Sequence, residues 1–304
     1  MAGLGSLVAR RRAAAVAASA AGRPVSEPVS RPMPELVPGP ERSVVVAVHD
    51  SASDGGQWRG LAGHLAPHFD LNAPDLPGYG HVACRGAAAG PRGVPADART
   101  LLGLIRRIGQ PVHLVGHGYG AAVVLRAALE RPGVVLSLTL VSPAAYHLLR
   151  GEGPAERRLF GGVMDVVASM AVAAAGGDRT GAVARFVDLW QGPGAWARSR
   201  AGGRTRLVGE LDRVLDDLAS LASERGRLTE LAGIGCPALA IVGLEAPAAT
   251  VRVAELVAEA LPSGVLRRLP RVGHMAPLTD PHLVGPMIAA HLLAAERGRL
   301  SAAA

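Results

Sequence analysis

The sequence contains no lysine, and all 32 of its basic side chains are arginine. Alongside abundant alanine, glycine and proline, that absence marks a composition bias spread along the whole chain. The net charge of +7 is therefore weak ground for expecting an acidic partner. Aromatic residues are scarce at 3%, and no basic stripe carries interleaved aromatics, which argues against a nucleic-acid partner. Cysteine is limited to Cys84 and Cys236. They lie far apart and match no metal or redox spacing, so two buried thiols in a reducing compartment, the cytoplasm, are expected. Long runs of strongly apolar residues are also missing, and no segment is expected to span a membrane.

Residues 1–40 differ from the rest of the chain. Arg10, Arg11 and Arg12 precede an alanine-rich run ending in Ala18-Ser19-Ala20, which mimics a signal peptide. Alanine partitions poorly into a bilayer, so export is the weaker reading. Pro24 to Pro40 reads as an extended, proline-rich linker, and Met33 could equally be the start. The remaining chain is 304 residues less this tail, and at 49% hydrophobic overall it can bury a large core. An open α/β fold of this size is often one domain with an insertion.

The most informative stretch is Pro111 to Leu125, PVHLVGHGYGAAVVL. An apolar, β-branched run breaks at Gly116-His117-Gly118-Tyr119-Gly120 and passes at once into an Ala/Val/Leu segment. That pattern predicts a buried strand, a very sharp turn and a helix packed close behind it. Upstream, Val44 to Val48 reads as a buried strand followed by His49-Asp50-Ser51. Gln57 to Ala66 fits a helix, Phe69 to Ala73 a strand, and Ala96 to Ile108 a helix. Downstream, Val134 to Val141 has the continuous apolar character of a strand covered on both faces. Between Pro143 and Ala232 helical periodicity dominates, with Leu207, Leu211, Val214, Leu215 and Leu218 on one face. Glu210, Asp212 and Asp217 fall largely off that face. Strands resume at Ala238 to Val242 and Val265 to Leu269, with a helix at Ala249 to Leu261 between them and another at Leu283 to Leu293.

Four motifs in this order carry a resemblance. GHGYG matches the G-x-S-x-G nucleophile elbow of the α/β-hydrolases at every position but the middle. Asp75-Leu76-Pro77-Gly78-Tyr79-Gly80 resembles the family's D-L-P-G-Y-G turn. His49-Asp50 stands where the family has His-Gly, and Gly273-His274-Met275-Ala276-Pro277 resembles its G-H-M-x-P loop. The chain is identified as similar to the bacterial, capped branch of simple α/β-hydrolases over residues 41–295. The resemblance implies an α/β fold with a mostly parallel, doubly wound sheet. Its core would be residues 41–142 and 233–304, with a helical cap at 143–232.

Acyl transfer on this fold needs a hydroxyl, an imidazole, an orienting carboxylate and an oxyanion hole. The resemblance places His274 as the catalytic histidine, but Gly118 stands where the serine belongs. Asp50 replaces a glycine beside the oxyanion loop. Glu245 is the available acid, one position early, and Ser142-Pro143 occupies the alternative acid position. Glycine at an elbow relieves backbone strain on the order of 1–3 kcal/mol, so stability favours Gly118 once no hydroxyl is needed. Each remaining polar group also has a structural reading. Asp50 suits a helix cap or an arginine pair, His49 a turn brace, His117 packing, and Glu245 a solvated loop charge.

The leading expectation is a protein that binds a small apolar molecule under its cap, with Asp50 and His274 available for non-covalent proton transfer in lyase, isomerase or cyclase chemistry. Ser51, His117, Gly118 and Tyr119 would form the elbow and oxyanion region, and Ser142, Tyr146 and Trp190 would line the pocket. No cofactor or metal is expected. The alternatives are a catalytically inactive binding protein, and a weak hydrolase in which His274 activates water while the Tyr119 N–H holds the oxyanion.

Overall fold

A computed structural model describes residues 42–80 and 92–303. The N-terminal tail with its signal-like run, and Cys84, lie outside the described residues. Six strands form one parallel sheet in the order β2-β1-β3-β4-β5-β6. They are β1 (Ser43–Val48), β2 (Phe69–Asn72), β3 (Val112–His117), β4 (Val135–Val141), β5 (Ala238–Gly243) and β6 (Gly264–Leu269). The crossover elements are α1 (Arg59–Leu65), α2 (Val94–Ile108), α3 (Tyr119–Glu130), α9 (Ala248–Ala260), α10 (Ala276–Thr279) and α11 (Pro281–Ala303). Five further helices lie between β4 and β5: α4 (Pro154–Ala175), α5 (Arg179–Gln191), α6 (Ala195–Arg198), α7 (Ala201–Gly209) and α8 (Leu211–Ser223).

The four central strands are buried and largely apolar because both faces are covered, whereas the edge strands carry polar residues, Asp70 and Asn72 on β2 and Arg267 and Arg268 on β6. Successive side chains leave a strand on opposite sides. Val44, Val46 and Val48 thus join one buried cluster with Leu114, Leu140 and the helices α2, α3 and α9. Val45 and Ala47 join the other with Val115, Ile241 and the helices α1 and α11, through Leu65, Val284, Ile288 and Leu292. The expected strands and helices are present, with ends differing by a few residues except in the closing helix, expected over 283–293 and found as Pro281–Ala303. The departure is at 55–65, where a short 3-10 turn, Gly55–Trp58, precedes α1. Asp54 rather than Asp50 caps it, accepting from the Gly56 N–H at 2.8 Å.

Three other expectations need correction. Asp217 is fully buried, not off the apolar face. Cys236 is half-buried. Helix α4 is long and apolar enough to cross a membrane by length and composition, with a mean hydropathy of 1.5 over its best window, 11% of it buried. Alanine and valine supply that hydropathy, without the run of large apolar side chains that the sequence reading looked for.

Every strand ends at the same edge of the sheet, so the loops carrying Asp50, Gly118, Ser142, Glu245 and His274 share that edge. This is where open α/β sheets place their ligands. The approach of β3 and α3 to β1 is what sets the elbow. A Cβ at Gly116 would meet the Ala121 Cα and the Gly120 carbonyl at 2.6 Å, and one at Gly120 would overlap the Val48 and His49 carbonyl oxygens. Gly120→Ala should therefore cost about 2–3 kcal/mol or more, because backbone rather than a flexible side chain blocks the methyl. Urea denaturation of the variant against wild type measures this.

Candidate active site

The turn after β3 brings Gly118 to φ 53° and ψ −115°, and its N–H is held by the Val141 carbonyl at 3.0 Å. A side chain here would point directly at Asp50. A Cβ built on Gly118 overlaps both carboxylate oxygens and Cγ of Asp50. The Asp50 carboxylate thus fills the space that an elbow side chain would take, reaching it from the loop after β1.

Its hydrogen bonds are specific. Oδ1 accepts from the backbone N–H of Tyr119 at 2.7 Å and of Ser51 at 2.8 Å. Those two amides converge from the elbow and the β1 loop, forming a cradle for a negative oxygen. Oδ2 faces His274 Nε2 at 3.0 Å. Burial pushes the Asp50 carboxyl up, but the His274 bond, the nearby imidazoles and the Tyr119 N–H outweigh it and hold it at about 2. The group is an anion at neutral pH, and no arginine pairs with it among the described residues.

The histidines have distinct roles. His117 Nε2 donates to the His274 carbonyl at 2.9 Å, fastening the β6 loop to the elbow. Burial lowers its pKa to about 4, so it is neutral. His49 Nδ1 donates to the Asp50 carbonyl at 2.7 Å, while its Nε2 accepts from the Leu76 N–H at 2.9 Å. It ties the β1 loop to the Asp75–Gly80 turn. His274 is buried and its Nδ1 has no hydrogen-bond partner.

That orphan Nδ1 corrects the expectation for Glu245. Its side chain is exposed on the loop after β5 and does not reach His274. The one-residue offset turns the carboxylate outward, while the Glu245 N–H is spent on the Val272 carbonyl at 2.9 Å. Ser142 is buried at φ 43° with an unpartnered Oγ, so it is not hydrogen-bonded to His274 either. Asp50 is instead the carboxylate on the imidazole, from the opposite side. Asp50, His117 and His274 are also the described residues able to hold a metal ion, with ligand atoms within 4.8 Å of one another. All three already spend donors or lone pairs on the bonds above.

The pocket over this pair is nearly filled by side chains. Trp190 of α5 stacks between Tyr146, at 5.6 Å between ring centroids, and His274, at 5.2 Å. Phe186, Leu218 and Leu221 complete the lining, leaving about 10 Å³. That is room for one water.

A second buried cluster escaped the sequence reading. Asp217 Oδ2 of α8 accepts from Ser51 Oγ and from Tyr79 OH, each at 2.7 Å. Arg213 lies between Asp217 and Asp97, and Tyr119 OH donates to Asp97 at 2.6 Å. The helical insertion is thereby bonded to Ser51 directly and to Tyr119 through Arg213 and Asp97. Amphipathic periodicity counts acids on α8 as solvated, and only the fold reveals partners 116 to 166 residues away.

The alpha/beta hydrolase family matches this chain over residues 45–285. Among curated proteins, Lipase LipV of Mycobacterium tuberculosis is 38% identical over 35% of this chain and 38% of its own length. A pimeloyl-[acyl-carrier protein] methyl ester esterase of Methylococcus capsulatus is 36% identical over 34% of this chain and 37% of its own. The chain thus aligns with under half the length of either. Among solved structures, MenH from S. aureus superposes with TM-score 0.67 at 16% identity, over 84% of this chain and 95% of that one. A thermophilic esterase from Thermogutta terrifontis gives 0.64 at 20%, over 84% and 91%.

Two outcomes follow from the geometry. Gly118→Ser should lose at least about 1–3 kcal/mol, from positive φ plus collision with Asp50. Adding Asp50→Gly should return part of that loss, so a thermal-melt double-mutant cycle should show favourable coupling between the two substitutions. Separately, burial raises the Asp217 carboxyl from 3.8 to about 7 against the pull of Arg213. Between those values the folded chain holds a proton that the unfolded chain has released, so this group's contribution to stability falls as pH rises from about 4 to about 7. Asp217→Asn should remove that slope in urea titrations across the same window.

Proposed function

The chain belongs to the alpha/beta hydrolase family, and on that premise we propose that it works without serine-type acyl transfer. Its chemical centre is the Asp50–His274 pair, and its ligand is a small, largely apolar molecule. The observation that carries this reading is Asp50 Oδ1 in the cradle of the Ser51 and Tyr119 amides. Ester hydrolysis stabilises its developing oxyanion with such a pair of donors. Here a carboxylate already occupies them, and the elbow bears no hydroxyl. The same point weakens the reading in which His274 activates water against an ester, because the substrate oxygen would have no donors. The names of the lipase and esterase relatives imply ester chemistry, but that route does not carry over by the usual steps.

For proton transfer, the base is His274 rather than Asp50, since a carboxyl held at about 2 is a weak base at neutral pH. A second reading, a non-catalytic binding protein, draws support from the 10 Å³ left beneath Trp190. The pair itself weighs against it, because a buried carboxylate contributes little to stability compared with apolar packing of the same volume.

A fluorophosphonate serine probe should leave the purified protein unlabelled on intact-mass measurement. Stoichiometric labelling at Ser51, Ser53 or Ser142 would refute the proposal.

A further inference from the structure

A groove of about 830 Å³ lies at the edge of the sheet where β3 and β4 begin. The six residues of β3 separate it from the Asp50 edge by about 20 Å. Its long wall is one face of α2, where Arg99, Leu102, Gly103 and Arg106 fall at the three- and four-residue steps of a single helical stripe. Arg131 and Val134 line it from the turn between α3 and β4.

The charge of this groove is unspent. The guanidinium groups of Arg99, Arg106 and Arg131 make no hydrogen bond or ion pair among the described residues. Glu130, the acid in the lining, is already bonded to Arg126 Nε at 2.7 Å. Arginine near a helix C-terminus offsets the partial negative charge of the last carbonyls, about half a charge per helix. The ends of α2 and α3 both border the groove, so they account for about one of the three positive charges. About two remain for a ligand.

The spacing of those charges selects its shape. Arg99 and Arg106 are seven residues apart, about 10 Å along the helix axis. Helical side chains lean toward the N-terminus alike, so that separation carries to their heads. Arg106 follows this rule, with Nη2 4.0 Å from where a Cβ on Gly103 would stand. Leu102, Ile105 and Val134 supply an apolar strip in the same groove.

We propose that this groove binds an unbranched aliphatic dianion, a chain long enough to set its two carboxylates about 10 Å apart. Each carboxylate matches the planar fork of one guanidinium, and the methylenes between them cover the apolar strip. A monoanion would leave one of the two α2 guanidiniums without a partner. Binding here uses neither Asp50 nor His274, so it stands or falls separately from the reading of that pair.

The test is calorimetric titration of the full-length protein at low salt with nonanedioate, nonanoate, butanedioate and neutral 1,9-nonanediol. Nonanedioate should bind at least about 3-fold tighter than nonanoate, as expected for one more exposed ion pair. Butanedioate and the diol should bind more weakly than either, and added salt should erase the advantage of the dianion. Arg99→Gln and Arg106→Gln, both at exposed positions, should each remove the difference between the two long acids. Thermal melts confirm that the variants fold. Undetectable binding of nonanedioate, equal affinity for the two long acids, or tighter binding of butanedioate overturns the proposal. A diol that binds as tightly as nonanedioate overturns it as well, because the groove would then read only apolar surface. So does a difference that survives both arginine substitutions, because the dianion would then sit elsewhere on the chain.

Discussion

One carboxylate organises this site. Asp50 is buried, ionised and bonded at once to two converging amides and an imidazole. Moving it would leave those amides without an acceptor and an anion without donors, each costing on the order of 1–3 kcal/mol or more. The elbow has to accommodate it. Gly118 leaves the volume the carboxylate needs, so the glycine and the aspartate fit one another sterically. His274 is then oriented from the Asp50 side, which accounts for a buried imidazole whose other nitrogen has no partner.

The helical insertion depends on the same two residues. Ser51 and Tyr119 offer their amides to Asp50 and their hydroxyls to Asp217 and Asp97, with Arg213 between the two acids. Two carboxylates and one guanidinium are costly to bury. Removing one member of such a group typically costs about 3–5 kcal/mol, so the network fixes α8 over the cradle even if apolar packing would be more stable. Leu218 and Leu221 line the pocket from α8, so this network holds one wall of the pocket in place.

The similarity to known proteins divides along the same line. Structural agreement extends over more than four-fifths of the chain at 16–20% identity, which reports the fold. Fold persists through apolar patterning and close glycine packing, while chemistry rests on a few side chains that change independently. At this site Gly118, Asp50 and His274 fit one another sterically and electrostatically.

What the sequence determined was the architecture. The apolar strand runs fix a sheet covered on both faces, and the glycines of 116–120 permit the only tight turn between β3 and α3. The spacing of the motifs also placed Asp50, Gly118 and His274 at one sheet edge. These signals are local or periodic, and they survive without knowledge of partners. Tertiary structure decided the rest. Glu245 turned outward because one residue of offset reverses a loop side chain. Asp217 was buried because its partners Ser51 and Tyr79 come from distant segments. The Asp50 carboxylate entered the cradle because three loops converge there, and the direction of a side chain between converging loops is a property of their packing, which no local pattern encodes.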